Sequence, residues 1–138
     1  RLSKSIIDSA MKLYESKEII KDFFYITYCR NTGAAWSILE GKMWFFYIIT
    51  IVALGVMGYF LIQADKKEVL QRLSFVCMIA GTLGNFFDRL TMQYVIDFLD
   101  FYIFGYNYPV FNVADICLCV GVGLLALDVI LHPGEKNV

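Results

Sequence analysis

The sequence predicts a mainly α membrane protein: a transmembrane helical bundle with a small extramembrane β-sheet and a surface helix. Three observations carry this. Of 138 residues, 59% are hydrophobic and 18% charged, against roughly 45–50% and about 25% in an average soluble domain. Three apolar stretches approach the ~20 residues that a ~30 Å hydrocarbon core requires. Between them lie segments rich in β-branched and aromatic residues, the types that favour strands.

Residues 1–42 open the chain with Ile6, Ile7, Ala10, Met11 and Tyr14, which read as one apolar helical face, with Lys12 and Glu15 off it. Such a helix is expected to lie on a surface. From Ile19 the composition shifts, and Phe23 to Tyr28 predict strand. The spans are expected at about 43–62, 69–90 and 113–131. The first is free of charge, the second gathers Asn85, Asp88 and Arg89 at its far end, and the third holds Asp115 in its first turn and Asp128 in its last. Ala80 with Gly84, and Gly121 with Gly123, are small residues suited to close helix approach. Residues 91–112 read as an aromatic loop with turns at Gly105 and Pro109. With three spans, residues 1–42 and 91–112 share one side of the membrane. Charge does not decide which side, because the seven Lys and Arg of residues 1–42 are spread thinly and Lys66, Lys67 and Arg72 are dense.

Composition also excludes classes of function. A net charge of -1 leaves no basic face for nucleic acid. Cys29, Cys77, Cys117 and Cys119 sit mostly in apolar runs, unlike a secreted disulfide framework, and with the single His132 they offer no metal site.

Ionisable groups within a span cost roughly 2.5–3.5 kcal/mol each on the insertion scale, so they are candidates for function. Asn85, Asp88 and Arg89 share a helical face, Asn112 and Asp115 share another, and Asp97 stands between them among apolar neighbours. Two readings remain open from spacing alone. Asn112 and Asp115 could cap a helix start while Asp88 and Arg89 pair at the interface. Alternatively, two carboxylates held close cannot both ionise cheaply, so one would act on water as a base while the other donates a proton, as in an aspartyl protease. Ser37 and Ser74 are weaker nucleophile candidates, having no neighbouring Lys or His in sequence. A proton- or cation-coupled transporter or channel using Asp97, Asp115 and Asp128 is the alternative of a different kind.

Four segments resemble the lipoprotein signal peptidases, also called type II signal peptidases. Arg30-Asn31-Thr32-Gly33-Ala34-Ala35-Trp36 is similar to the family's Arg-Asn-x-Gly-Ala-Ala-Phe, and Gly84-Asn85-Phe86-Phe87-Asp88-Arg89 to its Gly-Asn-x-x-Asp-Arg. Val95-Ile96-Asp97-Phe98 and Phe111-Asn112-Val113-Ala114-Asp115 resemble its two aspartate motifs, in the same order along nearly the whole chain. Trp36 and Ser37 depart from a usual Phe and a common Gly. The resemblance implies that Asp97 and Asp115 are the catalytic dyad. It implies that Lys4, Asn31, Asn85, Arg89 and Asn112, with Gly33, Asp88 and Ala114 in the same motifs, bind substrate or position the dyad. It further implies endoproteolysis of diacylglyceryl-modified prolipoproteins before the lipidated cysteine, without metal or organic cofactor. The protein would be a single peptidase domain over 1–138, monomeric, among the lipids of the bacterial cytoplasmic membrane, with residues 1–42 and 91–112 outside. Arg1-Leu2-Ser3-Lys4 matches the inside of a further family motif, so a preceding fourth span is expected before residue 1.

Overall fold

The structure, a computed structural model, describes residues 1–33 and 39–134. Ala34, Ala35 and Trp36 of the first motif, and the candidate nucleophile Ser37, lie outside the described residues. Elements follow in the order α1 (Leu2–Ala10), β1 (Ser16–Ile20), β2 (Phe24–Asn31), α2 (Met43–Gln63), α3 (Val69–Met92), β3 (Val95–Ile103), β4 (Tyr106–Asn107) and α4 (Val113–Leu131). They group into two compact units: residues 1–45 with 87–113, and residues 46–86 with those from 114 onward.

The first unit is built on an antiparallel sheet in the order β1-β2-β3-β4. Half of residues 91–112, expected as a loop, lies in the strands β3 and β4 instead. Val95 to Ile103 is a run of β-branched, aromatic and aliphatic residues with two acids, and it is buried well enough by its neighbours to hold a ladder. Successive side chains of a strand point to opposite faces. Ile96 and Phe98 therefore share one face, where they pack with Ile7, Met11 and Tyr28 into the unit's core. Asp97 points to the other, opposite Cys29 in the register of β2.

Helix α1 buries only part of the face expected of it. Lys4, Ile7 and Met11 are inside, whereas Ile6, Ala10 and Tyr14 are exposed. The reason is electrostatic: the Lys4 ammonium lies 2.9 Å from the fully buried carboxylate of Asp88, which turns the helix so that a charged residue faces inward.

In the second unit the three apolar helices are long and apolar enough to cross a membrane. Their observed bounds extend the expected spans by one residue at Gln63 and two at Met92. Stacked Phe60 and Phe75, and Tyr47 edge-on to Phe86, join α2 to α3. The turn between them is closed by side chains: Asp65 accepts from the Lys67 N–H at 2.9 Å, and Arg72 reaches back to the carbonyls of Leu61 and Ala64 at the end of α2.

Glycine sets the seam between α3 and α4. A Cβ on Gly81 would stand 2.4 Å from the Ala114 carbonyl oxygen, and one on Gly121 would stand 2.7 Å from that of Ser74. A Cβ on Gly84 would stand 3.1 Å from the Ala114 methyl. Of the expected small-residue pairs, Gly84 and Gly121 serve close packing, while Ala80 is exposed and Gly123 meets open space. Gly81 was not foreseen, because a glycine in an apolar span carries no sign of which face it is on. Gly81→Ala should cost about 1–3 kcal/mol through overpacking against backbone, checked by thermal unfolding in detergent. Gly123→Ala serves as the control and should be near neutral.

Candidate active site

The second catalytic candidate, Asp115, lies half-buried in the first turn of α4. Asn85 of α3, 7% exposed, donates its side-chain N–H to the Asp115 carboxylate at 2.9 Å. The glycine seam brings these two helices close enough for a carboxamide as short as asparagine to reach across.

The first candidate, Asp97, belongs to β3 and is 3% exposed. Asn112, fully buried, donates to its carboxylate at 2.7 Å. Backbone pairing fixes this contact: Phe111, the residue before Asn112, accepts from the Phe98 and Leu99 N–H groups at 2.9 and 2.8 Å and donates to the Leu99 carbonyl at 3.0 Å. The residue that follows Asp97 and the residue that precedes Asn112 are thus tied together. Each carboxylate therefore receives an asparagine N–H, and neither Asp97 nor Asn112 was readable as a strand-anchored position from the sequence.

Asp88 does something the sequence did not show. Its carboxylate takes Lys4 at 2.9 Å, Arg1 at 2.5 Å and the backbone N–H of Ile96 at 3.1 Å. It thus holds the residue adjoining Asp97, and its ionic partners come from α1 rather than from Arg89. Arg89 donates instead to the Gly33 carbonyl at 3.3 Å, and the Gly33 N–H donates to the Asn31 side-chain oxygen at 2.8 Å. Lys4, Asp88, Arg89, Gly33 and Asn31 form a framework around β2 and β3. Ala114 lies against the α3 glycines. Ser74 is fully buried within α3 and donates to the Gln71 carbonyl at 2.6 Å.

A second buried acid on β3, Asp100, is satisfied by Thr27 and Asn107, each donating at 2.7 Å. Together with Asp97 it acts on Cys29. Burial first, then the negative charges of Asp97 and Asp100, push the Cys29 thiol up to about 11 from an ordinary 9.0. Alkylation needs the thiolate. Iodoacetamide labelling of Cys29 should therefore reach half its limiting rate near pH 11 rather than near pH 9, followed by mass spectrometry of the labelled peptide; a rise near pH 9 would contradict the environment described. Among the described residues no three His, Cys, Asp or Glu side chains converge as a metal site would need.

Comparison with known proteins gives this arrangement a lineage. The profile of the family described as signal peptidase (SPase) II matches residues 1–131. A lipoprotein signal peptidase of Bacillus pumilus (strain SAFR-032) is 46% identical over 137 residues, covering 99% of this chain and 88% of the relative. A bacterial membrane enzyme solved by the in meso method at 2.3 Å resolution is 44% identical, with a TM-score of 0.87 over 99% of this chain and 85% of its own. Another, at 1.9 Å resolution, is 43% identical, with a TM-score of 0.84 over 98% of this chain and 85% of its own. With near-complete coverage at this identity, the chain belongs to the signal peptidase II family and is a bacterial multi-pass membrane protease.

Proposed function

We propose that this protein cleaves the signal peptide from diacylglyceryl-modified prolipoproteins as an aspartyl endopeptidase, with Asp97 and Asp115 as the catalytic pair. The observation that carries the assignment is the pair of carboxamide-to-carboxylate hydrogen bonds, Asn112 to Asp97 and Asn85 to Asp115. A donor on one oxygen fixes the rotamer of each acid.

In the proposed step the pair carries one proton between its two carboxyl groups. The ionised member takes a proton from water, whose oxygen attacks the carbonyl carbon before the lipidated cysteine, while the other donates its proton to the carbonyl oxygen. Collapse of the tetrahedral intermediate passes a proton to the departing cysteine amine and breaks the C–N bond. The products are a signal peptide ending in a carboxylate and a mature lipoprotein with a free amino terminus. No covalent enzyme intermediate is formed. Lys4, Asn31, Gly33, Asp88, Arg89 and Ala114 serve as positioning residues, and the chain acts as one peptidase domain and a monomer. The Asp97 and Asp115 end faces outward from the cytoplasmic membrane, where the substrate cysteine and its acyl chains lie.

The test is cleavage of a purified diacylglyceryl prolipoprotein by the protein in lipid vesicles. A single cut before the lipidated cysteine is expected, and it should persist in EDTA. No cut, or a cut abolished by chelation, would overturn the reading. A transporter is not favoured: Asp128, its best support, is buried beside His132 at the far end of α4 from Asp115.

A further inference from the structure

The hairpin joining β3 to β4 turns its most apolar residue outward. Ile103 pairs with Tyr106, so Phe104 and Gly105 form a two-residue turn, and both are left-handed, at φ 49° and 80°. Asn, Asp or Gly is the usual first residue of such a turn, because a bulky side chain at positive φ is strained. Phe104 adopts this conformation while its ring is fully exposed, at 106%. The strain therefore brings no packing within the fold. Ile103, Tyr106 and Tyr108 beside it are exposed as well, and residues 101–114 hold no charged side chain. An exposed apolar tip flanked by tyrosines suits a membrane–water boundary, where apolar rings meet lipid and phenol hydroxyls meet water.

We propose that this hairpin is a membrane anchor, with Phe104 and Ile103 seated at the boundary between headgroups and acyl chains of the leaflet where α3 ends and α4 begins. Continuity with the spans supports it. The first unit contains an end of each span: residues 43–45 of α2, 87–92 of α3 and 113 of α4. Helix α3 is closed by Gln93, left-handed at φ 63°, whose N–H donates to the Arg89 carbonyl at 3.0 Å. This cap turns the chain off the helix axis. The strand that follows doubles back, since the Ile96 N–H donates at 3.1 Å to Asp88, one turn before the helix ends. Further along, Leu99 donates to the Phe111 carbonyl at 2.8 Å and accepts from the Phe111 N–H at 3.0 Å, just ahead of α4. Strand β3 is thus tied to the end of one span at Ile96 and to the approach of the next at Leu99, so it runs across the span ends and not away from them. From Leu99 to Phe104 the chain covers roughly 17 Å along the same direction, which keeps the tip at the depth of the boundary. An anchored tip holds β3, the strand that carries Asp97, against tilting into water.

The test places a tryptophan at the tip, in vesicles of phosphatidylcholine and phosphatidylglycerol. The emission that Phe104→Trp adds to that of Trp36 and Trp44 should fall about twofold or more with lipids brominated ~5–10 Å below the headgroups, and little with aqueous iodide. Quenching by iodide and not by brominated lipid overturns the proposal. Benzoylphenylalanine in place of Phe104 identifies the occupant: irradiated in the same vesicles with a lipid-modified prolipoprotein present, it should attach to phospholipid. Attachment to the prolipoprotein or to a second copy of the chain, without lipid adducts, also overturns it. Phe104→Asn separates anchoring from folding. Asparagine suits the turn, so in detergent the unfolding temperature should hold or rise. A fall there would mean that Phe104 serves the fold itself, and the case for an outside partner would be lost. None of these readouts depends on cleavage, so their failure is distinct from failure of the proposed peptidase activity.

Discussion

Asp97→Asn and Asp115→Asn should each lower cleavage of a lipid-modified prolipoprotein by about 10³-fold or more while leaving the protein folded. Asparagine keeps the size of aspartate and an oxygen that can accept from Asn112 or Asn85 at the present 2.7 and 2.9 Å. What it cannot do is take a proton from water or carry the shared one. The loss should therefore appear in kcat, with KM little altered, and the unfolding temperature should move by only a few degrees. The pair acts as a unit, so the double variant should be hardly slower than either single one. Losses that multiply would mean two independent roles and would break the dyad assignment. Undiminished turnover in either variant would do the same.

Asp88→Leu is expected to have the largest effect on stability. The variant strands Lys4, whose side chain is only 4% exposed, without its carboxylate, and breaking a buried pair from one side typically costs about 3–5 kcal/mol. It also removes the acceptor of the Ile96 N–H, a further buried loss of about 1–3 kcal/mol. Arg1, at 43% side-chain exposure, can turn to solvent and should matter less. Lys4→Met combined with Asp88→Leu removes both buried charges, so the double variant should regain much of the ionic part but not the Ile96 bond. Thermal unfolding in detergent measures each. If the two single losses simply add, the buried pair is not the coupling described.

These two predictions mark how far the sequence could be read. The spans were legible because Met43 to Ile62 holds no charge and lipid imposes one length on any helix that crosses it. Asn85, Asp97, Asn112 and Asp115 were legible as polar residues in apolar surroundings and as parts of recognisable motifs. Their partners were not. Periodicity gave α1 an apolar face of Ile6, Ile7, Ala10, Met11 and Tyr14, of which only Ile7 and Met11 are buried, in a stripe that begins at Lys4. A salt bridge between residues 84 positions apart outweighs local amphipathicity, and nothing local announces it. The strand β3 was hidden for another reason. Its two acids, Asp97 and Asp100, and its many aromatics resemble an interfacial loop until Asn112, Thr27 and Asn107 are seen to satisfy those acids. Asp128 was legible as an acid in the last turn of its span, but its pairing with His132 came only from the structure.

The glycine seam of α3 and α4 bears on how such an enzyme could escape a compound that binds at Asp115. Enlarging a side chain is the simplest route by which a target excludes an inhibitor. Gly81 and Gly121 would drive a new Cβ to 2.4 and 2.7 Å from backbone oxygens, and one on Gly84 would stand 3.1 Å from the Ala114 methyl. Growth at these positions pushes the helices apart and carries Asn85 away from Asp115, so under the proposed mechanism a mutant that sheds the inhibitor sheds its own catalysis too. Evolved resistance would have to arise elsewhere, and the α3–α4 wall offers a drug an epitope with little freedom to change.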